Sequence, residues 1–196
     1  MSRKLVAACI AVLALPHAAH AVGQQVFVNG TVGLSDSHIG NGGADRDGSD
    51  VAAAIRVGVL WRGQPQFGIE TGYADLGRYR QRIMIGQVQV RDQVHTRAAL
   101  LGANVTYRFD APWYVTARGG LLRSWLSVHE YADGVASGQG SAAGNGWYLG
   151  AGGGYDISEQ LSIGAHLDLY HVAASQGAAQ VDGHVATLGV QLEYRY

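Results

Sequence analysis

The chain has 196 residues, of which 29 are glycine and only three proline, with 47 % hydrophobic and 15 % charged side chains and a formal net charge of −1. That balance excludes the basic footprint of a nucleic-acid binder. Beyond the N-terminal segment, no apolar run reaches the ~18 residues that a spanning helix needs.

The N-terminal stretch MSRKLVAACIAVLALPHAAHA carries Arg3 and Lys4, an apolar run from Leu5 to Leu15 and a small-x-small site at Ala19-His20-Ala21. It reads as a secretory signal peptide over 1–21, followed by one domain over 22–196. Cys9 in VAAC offers a competing lipoprotein reading, but the apolar run before it, Leu5 to Ala8, is too short to insert. Removing Arg3 and Lys4 takes the formal charge from −1 to −3 and leaves arginine as the only strong base. Removing Cys9, the one cysteine, excludes disulfides. An exported β-protein or an outer-membrane barrel are the two classes left.

Period-two alternation recurs along nearly the whole remaining chain. It predicts strands at about 25–35, 51–62, 66–77, 96–109, 113–128, 147–157, 161–172 and 184–196. The connections alternate in length. GQP (63–65), DAP (110–112) and SEQ (158–160) are tight turns, whereas 36–50, 78–95, 129–146 and 173–183 are long and polar. Short turns at one end, long loops at the other and an even strand count predict an all-β, eight-stranded antiparallel up-and-down transmembrane β-barrel. With the apolar parity outward, Trp61, Phe67, Phe109, Trp113, Tyr155, Tyr194 and Tyr196 lie beside the short turns, and Tyr73, Trp125 and Trp147 lie near the long loops. Two aromatic belts around an apolar band are what lipid requires.

The opposite parity collects the polar groups Arg56, Glu70, Asn104, Arg108, Arg118, His166, Asp168, Gln191, Glu193 and Arg195, interleaved with glycines. An eight-stranded barrel has an interior only wide enough for side chains to fill, and buried charges there must be paired. Arg56 and Arg118 are expected to join Glu70 and Asp168, with Arg108 and Arg195 serving Glu193. On this reading Glu70→Ala strands a buried arginine, at a cost of ~3–5 kcal/mol.

FGIETGYADLGRYR (67–80) resembles the third strand of the OmpA transmembrane domain and its small OmpX- and Ail-type relatives. YVTARGGLLRSW (114–125) resembles that family's fifth strand, and ATLGVQLEYRY (186–196) its closing strand. The resemblance implies a monomeric outer-membrane barrel of a Gram-negative envelope, handled by periplasmic chaperones and the barrel-assembly machinery during biogenesis. It maps the assembly signal onto Gly189, Leu192, Tyr194 and Tyr196, the last standing where that signal most often has Phe. It also equates Glu70 with a lumen Glu that forms gating salt bridges, and Arg118 with the lumen Arg of strand five. The family's other basic positions are Asn104 and His166 here, and a second acidic position is Gly154, so an exchangeable ion-pair gate lacks its partners. The chain stops at the signal strand, so no peptidoglycan-binding domain is expected after it.

The chemistry-bearing motifs are weak. His171 with Ser175 in YHVAASQG is the nearest approach to a lipid A deacylase pair, set against a rim histidine at the membrane interface. The histidines at 38, 95, 129, 166, 171 and 184 show no metal-ligand spacing. Asp45, Asp47 and Asp50 resemble part of a calcium loop without its distal Glu. No cofactor, metal or catalytic residue is expected. Arg78, Arg80 and Arg82, with Arg91 and Arg97 returning and Arg123 at similar height, form a belt suited to lipopolysaccharide phosphates, set against plain snorkelling. The alternation from Ile83 to Val94 predicts that strands three and four extend above the membrane as a hairpin around Gly86. An envelope-structural role without catalysis is the expected function. The alternatives are a surface adhesin or resistance factor that meets host molecules through its loops, a lipid A-modifying enzyme and a small-solute channel.

Overall fold

The computed structural model describes residues 23–39, 46–47, 49–85, 88–132, 135–176 and 179–196. Of these, the side chains at 37–39, 46–47, 49, 78–85, 88–94, 128–132, 135–139, 174–176 and 179–182 are not described. The segment expected to be a signal peptide, 1–21, lies outside the described residues.

Eight long strands carry the fold: β1 (Gln24–Ile39), β2 (Ser49–Trp61), β3 (Gln66–Ile85), β4 (Val88–Arg108), β5 (Trp113–Ala132), β6 (Val135–Asp156), β7 (Leu161–Gln176) and β8 (Ala179–Arg195). Each pairs antiparallel with its sequence neighbours. The circle closes where β1 pairs with β8, from Phe27 opposite Arg195 to Ile39 opposite Gly183. This is a closed, all-antiparallel, eight-stranded barrel. Closure is the physical reason such a sequence can live in lipid, because every strand finds ladder partners on both edges. A two-residue strand, Arg46–Asp47, adds to β3 opposite Gln81 and Arg80.

Burial follows the period-two pattern. On β2, Ala52, Arg56 and Leu60 are buried while Val51 and Ile55 are exposed. The exposed large apolar side chains, among them Leu34, Ile69, Leu101, Leu121, Leu149, Leu167 and Leu188, form the outer surface. The short turns are 62–65, 109–112 and 157–160, and local bonds close the last two. Phe109 N donates to Trp113 O at 3.0 Å and Ile157 N to Leu161 O at 2.8 Å. Ser158 Oγ accepts from Leu161 N at 3.0 Å. Edge-on aromatic pairs ring this end: Tyr107 with Phe109, Trp113 with Tyr155, and Tyr194 with Tyr196, with centres 5.0, 5.2 and 4.8 Å apart.

The strands run well past their predicted ends, which corrects the long loops expected at 78–95, 129–146 and 173–183. Only residues 86–87, 133–134 and 177–178 lie between β3 and β4, β5 and β6, and β7 and β8. A strand needs ~9–11 tilted residues to cross a bilayer. The 20, 21, 20 and 22 residues of β3 to β6 therefore stand clear of it as paired hairpins. One is the hairpin predicted around Gly86. Over 135–146 of β6 the contrast between faces fades in the sequence while the ladder continues.

One irregularity alters what faces out. The β3–β4 register shifts between Asp75 and Arg78, at Gly77, whose φ of +89° suits glycine. Its N–H donates to Asp75 Oδ1 at 3.1 Å. The extra residue moves Arg78, Arg80 and Arg82 onto the ladder positions opposite His95, Gln93 and Arg91.

Candidate functional site: the polar plug inside the barrel

The barrel interior is layered. Nearest the short turns, Arg108 pairs with Asp156 at 3.1 Å and Glu193 at 3.4 Å, while Arg195 pairs with the same two acids at 3.1 Å each. Two cations and two anions thus neutralise one another. Ser162 Oγ bonds Asp156 and accepts from Arg195 Nη1, Gln66 accepts from Arg108, and the Arg108 guanidinium lies 5.4 Å from the centre of the Tyr114 ring.

A second quartet sits deeper. Arg56, with no solvent exposure, lies 3.7 Å from Glu70 and 3.2 Å from Asp168. Asp168 also holds Arg118 at 3.3 Å. The order of contacts is Arg118, Asp168, Arg56, Glu70, again two charges of each sign. Neutral groups complete it. Glu70 accepts from Tyr148 Oη at 2.8 Å and from Asn104 Nδ2 at 2.9 Å, and Arg56 donates to Tyr170 Oη at 2.8 Å. Arg118 donates to Gln191 Oε1 at 2.7 Å and contacts His166 Nδ1. Paired this closely, charges can be held away from water at tolerable cost.

The third layer, towards the long hairpins, is apolar: Ala74, Leu76, Ala98, Leu100, Leu122, Leu126, Val172 and Val185 pack over Tyr148 and Tyr170. Two cavities in this lumen, one beside Thr31 and Tyr170 and one beside Asn104 and His166, are of water size, about 10 Å³ each. Close backbone approach makes this density possible. A Cβ on Gly102 would strike the Tyr148 hydroxyl and the Gly119 carbonyl, and one on Gly150 would strike the Asp168 carboxylate.

Each lumen residue named from the sequence lies on the inner face, and the expected groupings of Arg56 and Arg118 with Asp168, of Arg56 with Glu70, and of Arg108 and Arg195 with Glu193 are close in space. Glu70 and Arg118 form no direct pair among the described contacts; Asp168 and Arg56 stand between them. The sequence reading omitted Tyr148, Tyr170 and Asp156. Strand parity could have found them, since each is adjacent to an outward residue: Trp147, His171 and Tyr155. The apolar inner layer escapes the same parity, because an apolar face reads as the lipid side.

At the outer rim, Arg123 is exposed and donates to Asn145 Oδ1 at 2.9 Å. It is the ladder partner of both Ala99 and Asn145. Arg97 is also exposed, near Asp75 at 3.9 Å, with His95 bonded to the same carboxylate at 2.8 Å. The side chains of Arg78, Arg80, Arg82 and Arg91 lie outside the described residues. His171 packs against Trp147 and His184, whereas the side chain of Ser175 lies outside the described residues. Asp50 belongs to β2 and accepts from Val51 N at 2.9 Å. Asp47 pairs by backbone with Arg80, and Asp45 is outside the described residues. In the closing strand, Leu192, Tyr194 and Tyr196 are exposed outward, and Gly189 lies inward opposite Gly33.

The model of a family described as an outer membrane protein beta-barrel domain matches residues 5–193. No curated protein is significantly similar in sequence. Among solved structures, the chain is similar to a major outer membrane protein from Thermus thermophilus, with TM-score 0.52, 13 % identity and coverage of 88 % of this chain and 99 % of that one. Neisserial surface protein A gives TM-score 0.51 and 10 % identity over 87 % of this chain and 97 % of that one. Ail of Yersinia pestis, in complex with the heparin analogue sucrose octasulfate, gives 0.50 and 11 % over 88 % and 99 %.

Proposed function

The chain belongs to the outer membrane protein β-barrel domain family, and on that premise we propose that it serves the outer membrane structurally, as a sealed barrel that carries no catalysis. The observation that supports this reading best is the filled lumen. Arg56, fully buried between Glu70 and Asp168, lies beneath the leucine layer of Leu76, Leu100 and Leu122. A lumen packed in this way closes the path a solute would take and resists unfolding in the bilayer. A strain lacking the protein is expected to become sensitive to detergents and bile salts, with restoration by the full-length chain. Normal resistance in that strain, or steady conductance by the purified barrel in planar bilayers, rules the reading out.

The outer rim supplies its membrane partner. Arg123 and Arg97 are exposed on the outward face, and the bulge at Gly77 sets Arg78, Arg80 and Arg82 on ladder positions opposite His95, Gln93 and Arg91. Guanidinium groups bind phosphate bidentately, so this row suits the phosphates of lipopolysaccharide. Replacing Arg78, Arg80, Arg82 and Arg123 by Gln is expected to abolish any acceleration of refolding by lipopolysaccharide. Equal acceleration in the altered chain refutes the assignment.

A second reading is favoured by the hairpins, whose paired strands rise beyond the bilayer: surface attachment through β3–β4 and β5–β6. Ail, with the same fold, has been crystallised with a sulfated sugar, which makes sucrose octasulfate and heparin the natural first probes for binding by whole cells. During biogenesis, Leu192, Tyr194 and Tyr196 are the residues we assign to recognition by the barrel-assembly machinery, with Gly189 easing the β1–β8 seam.

A further inference from the structure

The histidines are scattered in sequence, yet the barrel register gathers half of those beyond the N-terminal segment into one row. His38 on β1 is the ladder partner of His184 on β8, His184 is that of His171 on β7, and His171 is that of Trp147 on β6. Ladder partners point to the same side of a sheet, and Trp147 and His184 are exposed on the outside of the barrel. The His171 and His184 rings lie 4.7 Å apart between centres, and Trp147 stacks on His171 at 5.4 Å with an interplanar angle of 27°. His171 Nδ1 is buried and has no hydrogen-bond partner.

From this juxtaposition we propose that His171 and His184 form a binding site for a divalent transition cation of the zinc class at the outer rim, with His38 at the next position of the row. Imidazole is a preferred ligand of zinc, nickel and copper. Its nitrogens sit about 2.0–2.1 Å from a zinc ion, which puts the ring centres of two ligands on one ion roughly 4.5–5.2 Å apart. The observed separation falls inside that interval without movement of either strand. The stacked indole limits rotation of the His171 ring, so less freedom is lost on binding than for two isolated surface histidines. The unpartnered Nδ1 gains a use, either as the ligating atom or, where Nε2 ligates, as the N–H donor whose hydrogen bond fixes the tautomer. Water completes the coordination. The chemistry is capture of a metal ion at the cell surface, with no bond made or broken.

The refolded full-length barrel in detergent micelles is titrated with zinc chloride by calorimetry, and with nickel chloride by tryptophan fluorescence. One saturable zinc ion per chain is expected, with affinity at least tenfold weaker in H171A and in H184A. Nickel is expected to quench part of the fluorescence, a part missing in W147F, which still binds zinc. Zinc should also protect His171 and His184 of the unaltered chain from diethyl pyrocarbonate, which tests the site without any variant. Absence of saturable zinc binding, or unchanged binding in heat-modifiable H171A/H184A protein, overturns the proposal.

Discussion

Asp168 is the residue on which the inner quartet turns. It holds two arginines, Arg56 at 3.2 Å and Arg118 at 3.3 Å, so truncating it takes from Arg118 its ion-pair partner among the described residues and leaves Arg56 with Glu70 alone. Asp168→Ala is expected to destabilise the barrel by ~3–5 kcal/mol, the range for breaking a buried pair from one side. Glu70 was the more conspicuous acid in the sequence, standing alone among glycines, and in isolation it promised a similar cost. The structure lowers that expectation. When Glu70 is lost, Arg56 keeps Asp168, and what remains unmet is mainly the hydrogen bonding of Tyr148 and Asn104. Glu70→Ala should therefore cost about 2 kcal/mol. Urea titrations of the refolded variants, followed by tryptophan fluorescence, measure both. A Glu70 variant less stable than the Asp168 variant places the node wrongly. Crowding gives a second prediction at the same scale. Gly102→Val drives a side chain into the Tyr148 hydroxyl and should cost about 1–3 kcal/mol of overpacking, reported by the same titration.

At the scale of the strand, legibility in the sequence depended on whether the two faces met different surroundings. Within the bilayer one face meets lipid and the other the packed lumen, so segments such as 66–77 alternate sharply and were readable. Residues 135–146 are Gly, Ala, Ser, Gln and Asn with one Val, and their sequence carries no such contrast. They continue β6 all the same, opposite β5, because the ladder supplies backbone partners without regard to side chain. The Gly77 bulge was unreadable for another reason: glycine is common throughout this chain, and nothing local marks Gly77 for a positive φ. The inner Leu100 and Leu122 were hidden because they precede outward Leu101 and follow outward Leu121, so doubled leucines blur the parity. Cross-strand rows such as His38, His184 and His171 are set by register, which a single sequence does not encode locally. The hairpin carries its own prediction. An epitope inserted between Gly86 and Gln87 should be bound by antibody on intact cells while the protein keeps its heat-modifiable migration. Binding only after the outer membrane is broken would put that hairpin on the wrong side of the membrane.

For the molecule as a whole, the consequence of layering is a seal with redundancy. The charged quartet of Arg56, Glu70, Arg118 and Asp168 and the apolar layer of Leu76, Leu100 and Leu122 lie in series along one lumen. Ions crossing the barrel meet both barriers, one through pairing and close packing and the other through exclusion of water. Removing either alone leaves the other in place. Arg56→Ala with Glu70→Ala is the informative way to open the first, because it deletes one charge of each sign and leaves the Arg118–Asp168 pair at 3.3 Å intact. Leu100→Ala with Leu122→Ala opens the second and costs roughly 2–5 kcal/mol per site, as large-to-small changes in packed cores do. Each double variant is expected to remain silent in planar bilayers, and the quadruple variant to conduct, provided that it still migrates as a folded barrel. Conductance by one double variant equal to that of the quadruple variant would show that a single layer seals the lumen and that the other only fills it.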